Sequence, residues 1–89
     1  GTVFSVQLGA YRESVPIDQA NRFFQFASRG ISIYKDSNTG LTVYQVGALK
    51  SYDDANSLKS EAVSSGISDA FIVAWRDGQK ISVEEALKR

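Results

Sequence analysis

The sequence predicts an α+β domain of ferredoxin-like or RNP-like order, βαββαβ, with a four-stranded antiparallel sheet, two helices on one face and a short C-terminal helix. Two observations carry this expectation. Val6-Gln7-Leu8-Gly9-Ala10 returns as Tyr44-Gln45-Val46-Gly47-Ala48, and Ala20-Asn21 returns as Ala55-Asn56. Two pseudo-repeats, about 3–30 and 41–66, therefore each read as a strand followed by a helix, the first with the longer connecting loop around Glu13 to Pro16. Two short repeats cannot form a solenoid, but they suit two strand-helix-strand halves that share one sheet. The 89 residues make one domain, 1–89, burying roughly 60–65% of its unfolded surface.

The first strand, about Val3 to Leu8, alternates with Phe4, Val6 and Leu8 on one face and Val3, Ser5 and Gln7 on the other, so one face is expected to be buried. The first helix starts near Pro16, a residue suited to the first helical position. Ile17, Ala20, Phe23, Phe24 and Ala27 form its apolar stripe, and it is expected to run to Gly30. Strand two, Ile31 to Lys35, and strand three, Leu41 to Ala48, flank Asp36-Ser37-Asn38-Thr39-Gly40, which has the chemistry of a hairpin turn.

The second helix opens with Ser51 as cap and Asp54 three residues on, buries Ala55, Leu58 and Ala62, and stops at Gly66. Strand four, Ala70 to Trp75, leads into a C-terminal extension, about 76–89. There Arg76-Asp77-Gly78-Gln79 reads as a hairpin-like turn, and Ser82-Val83-Glu84-Glu85 as the capping box of a short helix. The sequence leaves open whether that helix packs beside strand four or crosses the sheet.

Because crossovers are right-handed, strands one and three are expected side by side in the centre, with both helices on one face and the other face open. Period two puts Ser5, Gln7, Ser32, Tyr34, Val43, Gln45, Phe71, Val73 and Trp75 on that open face. Glutamine amides among aromatics suit a flat neutral ligand such as a sugar.

Charge agrees with a neutral partner. Ten Lys plus Arg offset ten Asp plus Glu, and neither sign forms a block. Cys and His are both absent, which removes zinc sites of the usual kind, disulfides and Ser-His-Asp triads. No cofactor or metal is expected. Asp18, Asp53, Asp54, Glu84 and Glu85 fall in first turns of expected helices, where they complement the helix dipole. Asp36 alone shares the open face, and a glycosidase needs two carboxylates across a cleft, so no enzyme is expected. The longest apolar stretch, Ala70 to Trp75, is far short of the roughly 20 residues needed to span a bilayer. The leading Gly1 and the missing Met suggest a recombinant fragment of something longer, with any export signal or anchor outside it.

Val6-Gln7-Leu8-Gly9-Ala10-Tyr11, then Tyr44-Gln45-Val46-Gly47-Ala48, then Ala70-Phe71-Ile72-Val73 together resemble the pattern of the SPOR (sporulation-related repeat) family, over nearly the whole chain. The resemblance implies a non-catalytic βαββαβ domain of the bacterial periplasm or cell envelope. Such a domain binds peptidoglycan glycan strands stripped of stem peptides, which are enriched at division sites. It also implies Gln7, Ala10, Tyr11 and Phe71 as glycan contacts. Tyr34, Gln45 and Trp75 join them from the open face alone. Leu49 stands where some members have an aromatic.

Bland roles stand beside these. Gln7 and Gln45 fit solvated sheet positions, Phe71 and Trp75 fit a core, and Gly9 and Gly47 mark bulges or strand ends. An RNA-recognition domain shares the element order, but Leu41 to Gly47 lacks its basic and paired aromatic residues. Acylphosphatase-like enzymes need a basic loop after strand one, where only Arg12 occurs. A protein-interaction or small-molecule regulatory domain is the other alternative. The expected partner is glycan, with no nucleic acid and no membrane contact by this stretch, and the expected state is a monomer, with a dimer through the open face as the alternative.

Overall fold

In the computed structural model, which describes residues 1–88, the chain runs β1 (Thr2–Tyr11), α1 (Ile17–Phe24), a 3-10 turn (Ala27–Arg29), β2 (Ile31–Lys35) and β3 (Thr42–Leu49). It continues through α2 (Tyr52–Ser64), β4 (Phe71–Arg76), β5 (Gln79–Ile81) and α3 (Val83–Leu87). Arg89, the last residue of the expected extension, lies outside the described residues.

All strand pairs are antiparallel, in the order β2-β3-β1-β4-β5. The centre, β3 beside β1, is as expected. The sheet has five strands rather than four, because Asp77 (φ 52°) and Gly78 (φ 84°) form a two-residue turn of left-handed backbone that folds Gln79–Ile81 back onto β4.

Two bulges interrupt the β1–β3 ladder. The pairs Val6–Val46 and Gln7–Gln45 give way to Gly9–Tyr44 and Ala10–Val43, so Leu8 is an extra residue on β1. On β3 an extra residue lies between Val46 and Leu49, where Gly47 takes φ 83°. A bulge breaks the alternation of side chains and adds twist. As a result Gln7 faces one side of the sheet while Gly9 and Tyr11 both face the other, towards Phe23.

Helices α1, α2 and α3 share that second side. One cluster joins Val6, Leu8 and Val46 to Phe23, Phe26, Leu58, Ala62 and Ile67. The other joins Phe4, Ala55 and Ala74 to Ile81, Val83 and Ala86. Burying a ring such as Phe23, which is wholly enclosed, contributes about 1.5–3 kcal/mol over leaving it in water. Through Val83 and Ala86, α3 packs on the helical side and leaves the opposite face uncrossed.

Helix α1 departs from expectation. It ends at Phe24 rather than near Gly30, and Ile17 (80% exposed) and Phe24 (51% exposed) point away from the sheet. Seven residues apart, those two share one helical face, and the space over Gly9 admits Phe23 instead. The chain then turns so that Phe26 enters the core. Helix α2 follows expectation. Ser51 Oγ accepts from the Asp54 amide at 3.0 Å, and at its end the Ile67 amide donates to Ala62 O at 3.0 Å, with Gly66 at φ 98°.

The face expected to be open is concave and partly closed. Ser5, Val43, Gln45 and Val73 are buried there, and the rings of Tyr34 and Trp75 meet edge to face at 5.5 Å. Tyr34 is level with Ala10 through Val43, whereas Trp75 is level with Val3. A flat sheet would hold two such residues more than about 20 Å apart. The sheet therefore coils until its opposite corners touch.

Candidate functional site

A groove of about 400 Å³ opens where β4 stops short of β1. β4 begins at Phe71, opposite Gln7. Beyond that point Gly9, Ala10 and Tyr11 pair with β3 on one side and, among the described residues, with no strand on the other. The α2–β4 connection, Gly66 to Asp69, stands away from this bare edge and forms the opposite wall with Phe71, and Gln19 of α1 also lines the groove.

Four of the seven expected contacts, Gln7, Ala10, Tyr11 and Phe71, come together in this groove. Phe71 is 46% exposed and offers an apolar face. Gln7 Oε1, on the paired position, is buried without a protein partner. The Tyr11 ring turns to the helical side, 6.2 Å from both Phe23 and Tyr44, and forms the groove wall there. Burial raises the Tyr11 phenol above its ordinary value of 10.0, with Asp18, Tyr44 and Asp69 adding to the effect. The phenol is thus a neutral donor near pH 7.

The other three lie apart from the groove. Tyr34 and Trp75 close over the concave face, and Gln45 is 8% exposed on that face. Sequence reasoning missed Gln19, Ser68 and Asp69, which line the groove. The one hint was the Gly66-Ile67-Ser68-Asp69 run, which reads only as a helix terminator and turn. Among the groove's lining residues Asp69 alone carries a carboxylate.

A family model, SPOR domain, matches residues 1–74. Comparison with curated proteins finds no match. Among solved structures, the chain is similar to the solution structure of the peptidoglycan binding domain of the B. subtilis cell wall lytic enzyme CwlC. Identity is 25% and the TM-score 0.59, over 85% of this chain and 92% of that one. The match to the family model stops near the end of β4, so β5 and α3 lie outside it.

Proposed function

The chain belongs to the SPOR domain family, and on that premise we propose that it binds peptidoglycan through its glycan strands, without catalysis, in the groove between β1 and β4. The observation that carries the reading is the convergence of Gln7, Ala10 and Tyr11 of β1 with Phe71 of β4, remote from them in sequence, around one groove. The likeness to a peptidoglycan binding domain over most of both chains supports it.

The chemistry fits a pyranose. Phe71 can cover something like 60–100 Å² of a sugar face, about 1.5–2.5 kcal/mol. The Gln7 amide and the bare backbone edge of β1 supply donors and acceptors for hydroxyl and acetamido groups, at about 1 kcal/mol each. Offset by the cost of association, these give affinity that is roughly micromolar or weaker. Hydrolysis of a glycosidic bond calls for two carboxylates across the bond, and the groove offers Asp69 alone.

The groove takes strands lacking stem peptides. Its two walls, β1 and the Gly66–Asp69 connection, face each other across a bare strand edge, and a stem peptide would compete with the sugar for that space. Acting as a monomer, the domain then directs the protein that carries it to denuded glycan in the cell envelope, as at division sites. Cosedimentation with peptidoglycan sacculi, before and after amidase removal of stem peptides, tests this. Greater retention on the amidase-treated sacculi is expected, and equal or absent retention would overturn the preference for denuded strands.

A further inference from the structure

Arg22 holds a guanidinium at the rim of the groove with no anion to meet it. Gln19, one turn earlier on the same face of α1, lines the groove. Gly66 lines it from the opposite wall. A Cβ on Gly66 would lie 3.3 Å from Arg22 Nε and 3.5 Å from its Cζ, so the guanidinium rests against that wall. Arg22 is half-buried, yet among the described residues its side chain makes no ion pair and no hydrogen bond. Arg29 and Arg76, by contrast, donate to Glu61 Oε1 at 3.0 Å and to Thr2 Oγ1 at 2.9 Å. A guanidinium carries five donors and no acceptor, so only an incoming acceptor can satisfy it.

We infer that Arg22 is a specificity-determining residue that binds the lactyl carboxylate of muramic acid, the anion left when an amidase removes the stem peptide. The inference rests on the glycan-binding reading above. Hydrolysis adds water across the amide bond, leaving a carboxylate on the lactyl group and an ammonium on the departing peptide. A strand stripped of stem peptides is therefore not neutral, because each muramic acid then carries a negative charge. The planar fork of arginine meets a carboxylate with two parallel N–H donors. An intact stem replaces that acceptor with a neutral amide, whose hydrogen bonds are about half as strong. Asp69, at the other end of the Gly66–Asp69 wall, repels the anion and favours a pose with the lactyl group at Gly66. A preference for denuded strands then has an electrostatic source besides the room that a peptide would take.

The probe is a soluble N-acetylglucosamine–N-acetylmuramic acid tetrasaccharide with free lactyl carboxylates, compared with the same tetrasaccharide capped as methyl amides. The cap removes the charge without adding a peptide's bulk. Calorimetry on the wild type should give a Kd about three- to tenfold lower for the acid than for the amide. That difference should shrink as salt is raised. Arg22→Gln should bind the amide like the wild type and lose the preference for the acid, while Arg22→Lys should keep part of it. A guanidinium near the end of α2 also complements the helix dipole, but loss of that role alone would leave the preference intact. Equal binding of acid and amide by the wild type, or a folded Arg22→Gln that still prefers the acid, would overturn the role of Arg22 and leave the groove reading standing. No binding of either form would overturn both. If Arg22→Gln fails to fold, Arg22→Lys decides, an undiminished preference for the acid counting against the inference.

Discussion

Phe23 fills the space that a side chain at Gly9 would need: a Cβ on Gly9 would lie 2.9 Å from Phe23 Cζ and as close to the Tyr11 ring. Phe23 is wholly buried and cannot retreat. Gly9→Ala is therefore expected to destabilise the fold by about 1–3 kcal/mol. The urea midpoint should fall with little change in slope; an unchanged midpoint would show that α1 is free to lift from β1.

Gly47 makes the β3 bulge with φ 83°, and its would-be Cβ meets Leu58 Cδ2 at 3.1 Å. Left-handed backbone costs a non-glycine residue about 1–2 kcal/mol. Gly47→Ala should lose at least that much in thermal or denaturant unfolding. Retained stability would mean the bulge can migrate along β3.

The Tyr34–Trp75 contact joins strands separated by β3 and β1. A double-mutant cycle in urea, Tyr34→Ala with Trp75→Ala, should give a coupling of about 0.5–1.5 kcal/mol. Additivity within error would remove this contact as the closure of the concave face.

Tyr11 and Tyr34 are both raised above the ordinary phenol value of 10.0, chiefly by burial, Tyr34 further by Asp36. A raised phenol favours the neutral form in the fold, so its stabilisation is complete below pH 10.0 and is lost as pH climbs through the folded value. A site-resolved titration at alkaline pH should show Tyr11 and Tyr34 ionising above the ordinary phenol range. Both should return to that range in denaturant, and ionisation of either within it in the native chain would contradict this.

Much of this was legible in the residues. The echo of Val6 to Ala10 at Tyr44 to Ala48 locates β1 and β3, and the caps at Ser51 and Ser82 locate α2 and α3. What periodicity cannot give is the face of Tyr11. Strict alternation would put it with Gln7, and the extra residue at Leu8 moves it to the helical side. Nor can local pattern foresee β5, whose three residues follow a legible Asp-Gly turn. The closure of Tyr34 on Trp75 depends on how far the whole sheet coils. For the groove, Gln7 and Phe71 were readable from motif, whereas Gln19 and Asp69 reach it only through tertiary packing.

The central claim is that the β1–β4 groove docks peptidoglycan glycan. The most direct measurement compares retention on amidase-treated sacculi for the wild type, for Gln7→Ala with Phe71→Ala, and for Ile17→Ser with Phe24→Ser on the exposed face of α1. Phe71 is half exposed, so the first pair should keep its fold, checked by circular dichroism, while retention drops at least about tenfold for the roughly 1.4 kcal/mol or more that its contacts supply. The α1 pair should bind like the wild type. Full retention by a folded Gln7→Ala, Phe71→Ala protein would contradict the account and move the site elsewhere on the domain.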